Sequence, residues 1–120
     1  MSSDKKIIEK INEYLFVKEN FALALVVETW KSAPKPVGSI LLVSESGEIS
    51  GSVSGGCVEG AVISEAQISL KTQKSKILKF GVTNEDAFQV GLACGGEIKI
   101  LIEPIINVND SKRKLLERFF

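Results

Sequence analysis

Histidine is absent from the 120 residues, and this absence removes more chemistry than any other feature of the composition. It excludes Ser–His and Cys–His catalytic pairs within one chain, and every zinc site built on an imidazole. Any general base must be a carboxylate, a lysine, a tyrosine, a thiolate or a bound group. Cysteine is scarce too. Cys57 and Cys94 are the two present, too few for the roughly four ligands of a tetrahedral zinc centre. Net charge is zero, with 15 basic and 15 acidic residues, so no global field draws a polyanion and nucleic acid is not an expected partner. No apolar run approaches the roughly 20 residues that span a bilayer, and no membrane association is expected. The opening "MSSDKKIIEKINEYLF" mixes charged and apolar side chains and holds no continuous h-region of a secretory signal. A cytoplasmic, reducing location is therefore expected, in which two cysteines stand as thiols rather than as a structural disulfide.

What is present is the balance of an ordinary globular chain: 44% hydrophobic and 25% charged residues. The length fits one domain over residues 1–120 with a core of its own. Ile7, Ile8, Ile11, Tyr14 and Leu15 recur at helical spacing behind Ser3 or Asp4 as a cap, and that helix should end near Lys18 to Asn20. "FALALVVETW" reads as a strand buried on both faces. "KSAPKPVGS" follows as a rigid loop, because Pro34 and Pro36 lack amide donors and restrict their predecessors. "ILLVSESGEISGSVS" reads as a β-hairpin turning at Ser44 to Gly47. From Cys57 to about Leu70, Val58, Ala61, Val62 and Ala66 form a helical stripe. "KILKFGV" and "GGEIKILIEPI" read as two more strands, "TNEDAFQVGLA" as a short helix or turn, and "NDSKRKLLERFF" as a helical turn or two. The expected fold is α+β: a mixed, largely antiparallel sheet of about five strands with packed helices.

The two cysteines sit in mirrored settings. "GSVSGGCVEG" places Cys57 behind Gly55 and Gly56, and "LACGGEIKI" places Cys94 in front of Gly95 and Gly96. Glycine pairs weaken regular structure unless the backbone needs positive φ or must be closely approached. At a strand-to-helix transition, free amides and the helix dipole favour an anion, and a cysteine in the first turn gains thiolate character. Gly56, with Glu59 as capping-box partner, or Ser54 is the expected cap. The spacing matches neither the P-loop nor G-x-G-x-x-G. Each site alone also fits a buried cysteine beside a turn; the mirrored pair favours one shared pocket. Glu59 reads as a capping or solvated residue before a general base. Lys35, between two prolines, reads as an exposed lysine or a phosphate contact.

Three segments together, "ALVVETWKSAPKPVGSILLV", "GEISGSVSGGCVEGAVISEA" and "FGVTNEDAFQVGLACGGEIKILIEP", resemble the N-terminal domain of the XdhC/CoxI family over roughly residues 20–105, leaving 106–120 as a tail or short helix. The resemblance implies a maturation factor for molybdenum hydroxylases such as xanthine dehydrogenase, without turnover of its own. Such a factor binds molybdenum cofactor transiently, as molybdopterin or its dinucleotide form. It shelters the cofactor while a cysteine desulfurase supplies the sulfido ligand, and hands it to the hydroxylase apoenzyme. Carried onto this sequence, Ser54, Gly55, Gly56, Cys57, Glu59, Cys94, Gly95 and Gly96 would contact the cofactor, the two thiolates facing the molybdenum. Lys35 and Ser39, from the SAPxPVGS stretch, would complete an anion cradle; the family more often has arginine where Lys35 stands. Members commonly continue into a C-terminal Rossmann-like domain, which this chain lacks, so a homo-oligomer or a separate Rossmann-domain partner is expected. Two other classes remain open: a thiol redox or sulfur-relay module using Cys57 and Cys94, and a non-catalytic scaffold subunit.

Overall fold

The computed structural model describes residues 2–30, 36–53, 58–80 and 97–106. The expected short helix around residues 83–93 and the C-terminal helical turn lie outside them. The first helix, α1 (Ser2–Val17), starts earlier than its expected cap, so Ser3 and Asp4 lie in its first turn. Ile7, Ile11, Tyr14 and Leu15 form its buried stripe, the i, i+4, i+7, i+8 pattern of an amphipathic helix. It ends on Lys18 in the left-handed region (φ 59°).

Five strands follow or flank a second helix: β1 (Phe21–Trp30), β2 (Ile40–Ser44), β3 (Ile49–Gly51), α2 (Glu59–Thr72), β4 (Lys76–Phe80) and β5 (Glu97–Ile105). They form one sheet in the order β3-β2-β1-β5-β4, and every pairing among the described strands is antiparallel. The α+β expectation holds, with sequence neighbours pairing except where β5 inserts between β1 and β4.

Strand β1 is buried on both faces because a helix covers each one. Ala22, Ala24 and Val26 join Leu41, Val43, Leu78, Phe80, Ile98, Ile100 and Ile102 in a cluster closed by Val62 and Ala66 of α2. Phe21 and Leu23 join Leu42 and Ile105 in a second cluster closed by α1. The period-2 alternation of a strand sends its residues to opposite faces, and burying one Val or Leu contributes about 1.5–3 kcal/mol. A register shift between Val26 and Glu28 marks a β-bulge in β1 against β5, the kind of local kink that re-aims a strand end.

Two turns are fixed by local chemistry. At the β2–β3 hairpin the Gly47 amide donates to the Ser44 carbonyl at 3.0 Å, and the Ser44 hydroxyl accepts from the Glu48 amide at 2.8 Å. Gly51, at the end of β3, has φ +86°, and a Cβ there would lie 2.2 Å from the Ile40 carbonyl oxygen and 2.7 Å from the Ile7 side chain. Only glycine lets α1 and β2 close on β3 at that point.

Candidate functional site

The antiparallel register decides which segments meet. Trp30, the last residue of β1, pairs with Glu97, the first of β5. Phe80, the last of β4, pairs with Ile98. Gly51, the last of β3, pairs with Leu41 beside the start of β2. The chain therefore leaves the sheet toward 31–39, 52–58 and 81–96 at the same end. These three connections carry the SAPKPVGS, SVSGGCV and GLACGG stretches. The other connections, α1 to β1 and α2 to β4 together with the β2–β3 hairpin, lie at the opposite end.

Of the residues expected to form the site, Ser39 and Glu59 are among those described; Lys35, Ser54, Gly55, Gly56, Cys57, Cys94, Gly95 and Gly96 lie outside. Ser39 closes a turn: its amide donates to the Pro36 carbonyl at 3.1 Å, and its hydroxyl donates to the same oxygen at 2.8 Å. Gly38, at φ +97°, supplies the positive φ that a type II turn requires at this position. The turn is tied to β1 where the bulge begins, since the Gly38 amide donates to the Val26 carbonyl at 2.9 Å and the Val26 amide to the Ser39 carbonyl at 3.0 Å. The hydroxyl donor of Ser39 is thus engaged within its own loop.

Glu59 departs from its expected role. Helix α2 is capped by Val58, without a side-chain cap hydrogen bond, in place of the expected Gly56 or Ser54. That puts Glu59 at the first helical position instead of the third, and from there its carboxylate has no capping box to complete. It reaches instead to the end of β3, where it accepts from the Val53 amide at 3.0 Å and from the Ser52 hydroxyl. Val53 and Val58 are both buried in the α2-side core, so the two ends of the 54–57 stretch are anchored in apolar packing and joined by one carboxylate. Ser52 was not singled out from the sequence; a serine seven positions before a glutamate belongs to no local motif that would signal it.

Within the sheet near this end, Lys99 of β5 and its ladder partner Glu28 of β1 form an ion pair at 3.3 Å. Among the described residues no group of three or more cysteine, aspartate or glutamate side chains is placed to hold a metal ion. Among them, too, no helix is long and apolar enough to cross a membrane.

Known proteins resemble this chain in sequence and in fold. The XdhC and CoxI family model matches residues 17–81, which run from the start of the sheet through both the SAPKPVGS and SGGC stretches. The chain is 31% identical over 93 residues to the molybdenum cofactor insertion chaperone PaoD of Escherichia coli (strain K12), covering 78% of this chain and 29% of that protein. It is 33% identical over 82 residues to the uncharacterized protein YqeB of the same organism, covering 68% of this chain and 15% of YqeB. Among solved structures, a xanthine dehydrogenase from Bacillus halodurans superimposes with a TM-score of 0.71 at 26% identity, covering 92% of this chain and 33% of that one. The chain thus spans a third or less of the length of these relatives. With the fold and more than half of the sequence in agreement, the chain belongs to the XdhC and CoxI family.

Proposed function

We propose that this chain is an accessory factor in molybdenum cofactor maturation: it binds the cofactor and assists its sulfuration or its insertion into a xanthine dehydrogenase-like hydroxylase, without turnover of its own. The observation that carries this reading is that β1, β3 and β4, from which the three motif-bearing connections leave, all end on one side of the sheet. Membership of the family and the likeness to a named insertion chaperone support it.

The donor set fits such a guest. Cys57 is one residue from Val58 at the cap of α2, and Cys94 is three residues (97 − 94) from Glu97 at the start of β5. A chain reaches at most about 3.6 Å per residue, so the Cys94 backbone is tethered within about 11 Å of that strand end. Helix α2 lies across β2, β1 and β5, which brings its packed face over the strand that Cys94 precedes. Two thiolates on these tethers suit a soft metal centre, and the amides of Gly55, Gly56, Gly95 and Gly96 suit an anionic group. Lys35 would add a point charge toward a phosphate, and Ser39 would fix the loop that presents it. When bound, the cofactor would supply the molybdenum and the dithiolene; the protein's part is to hold it, exclude solvent from it and release it. The thiolate of Cys57 or Cys94 would attack the outer sulfur of a cysteine desulfurase persulfide, becoming a persulfide itself while the S–S bond breaks and the desulfurase cysteine leaves as its thiolate.

Anaerobic titration calorimetry with molybdenum cofactor tests the reading. Saturable binding by the wild-type chain is expected, weakened at least about tenfold by Cys57→Ala or Cys94→Ala, the loss of roughly 1.4 kcal/mol or more. Absence of binding, or wild-type binding by the double variant, would contradict it.

A further inference from the structure

We infer that Glu59 is a positioning residue, a clasp that ties the start of α2 to the exit of β3 on either side of the SGGC stretch, and is not itself a ligand of the guest; the inference rests on the cofactor-binding reading above. Its carboxylate stands at the first position of α2 and turns back across the chain to the Val53 amide at 3.0 Å and the Ser52 hydroxyl. Both partners belong to the exit from β3, six and seven residues earlier. The loop closed by these bonds is the one that holds Gly55, Gly56 and Cys57.

One observation and two physical arguments favour a clasp over a ligand. First, the carboxylate accepts from the Ser52 hydroxyl and from the Val53 amide, which lies two positions beyond Gly51, the last residue of the β2–β3 ladder. An ionised acceptor makes such bonds shorter and stronger than neutral ones. Second, a negative charge at a helix N-terminus is favourable to the helix but repels a phosphate brought to the same amides. A carboxylate aimed at the β3 exit serves the first role without demanding the second. Third, glycine pairs have the largest backbone freedom to lose, and a bond between Val53 and Glu59 holds the two described flanks of such a pair together. Preorganisation of this kind raises affinity by lowering the ordering cost of binding.

The test pairs a cofactor-independent readout with a cofactor-dependent one in Glu59→Gln, Glu59→Ala and Ser52→Ala. Amide hydrogen exchange at Val53 reads the clasp; anaerobic titration with molybdenum cofactor reads its consequence. Glu59→Gln keeps an oxygen that can accept from the Val53 amide, so exchange and affinity should both stay within about threefold of wild type. Glu59→Ala should speed Val53 exchange and weaken binding by about tenfold or more, the scale of one lost charge-assisted hydrogen bond. Should Glu59→Ala fail to fold, Ser52→Ala carries the test, with a smaller change in the same direction. Unchanged Val53 exchange in Glu59→Ala overturns the clasp. So does Glu59→Gln that loses binding while Val53 stays protected, because the charge itself would then be touching the guest. A wild-type chain that binds no cofactor overturns the functional reading alone, and Val53 exchange still decides the clasp.

Discussion

Tyr14 shows how one polar atom ties an element in place. The ring is buried in the α1-side cluster, its centroid 5.2 Å from that of Phe21, while its hydroxyl donates to Glu48 at 2.6 Å. Lys10 reaches the same carboxylate oxygen at 3.0 Å, so α1 is latched to the β2–β3 hairpin. The hydrogen bond from Tyr14, and then that from Lys10, hold the Glu48 carboxyl below its ordinary value of 4.5. Burial, and then the bond to Glu48, push the Tyr14 phenol above its ordinary 10.0. The signs follow from linkage. The lowered carboxylate stabilises the fold fully above pH 4.5 and stops doing so as pH falls. The raised phenol stabilises it fully below pH 10.0 and stops doing so as pH rises. Tyr14→Phe should lower the unfolding free energy at neutral pH by about 1–2 kcal/mol and flatten both limbs of the pH profile. Denaturant titrations across the two limbs check this; unchanged slopes would contradict it. The stripe position of Tyr14 was legible from helical spacing alone. Its partner, 34 residues away, was not, because it depends on how the hairpin docks.

At the scale of elements, both helices end on a residue that pays a steric penalty. Lys18 and Gln73 adopt φ 59° and 60°, the left-handed region that glycine enters without a Cβ clash. At Gln73 the turn is well bonded, its amide donating to the Ser69 carbonyl at 2.8 Å and the buried Ser69 hydroxyl to the Lys74 carbonyl at 2.6 Å. Replacing Gln73 by glycine should keep those bonds and raise stability by about 0.5–1 kcal/mol, a rise in Tm of about 2–5 °C. A fall in Tm would contradict it. Most elements were readable because their signals are strong: the continuous apolar run of β1, the alternating β5, the α2 stripe and the Ser44–Gly47 turn stand where the sequence put them. The bulge between Val26 and Glu28 left no mark, since Val27 and Glu28 continue a plausible strand pattern. Glu59 misled because the cap lies at Val58, and a shift of two positions turns a capping-box residue into a link to another element.

For the molecule as a whole, the sheet order ends β1, β3 and β4, the strands that precede the motif-bearing connections, on one side. Each motif was visible in the sequence as an unusual run of small residues around a thiol. That their connections share one end of the sheet was not, because it depends on β5 inserting between β1 and β4, a choice made by long-range register rather than local pattern. The measurement that bears most directly on the functional reading is therefore the proximity of the two sulfurs. Phenylarsine oxide bridges only thiols that lie close together, and intact-mass spectrometry followed by alkylation counts the thiols it occupies. One arsenical bridging Cys57 and Cys94 within a single chain, independent of protein concentration, is the expected result. Two thiols that both remain open to alkylation would contradict a shared site.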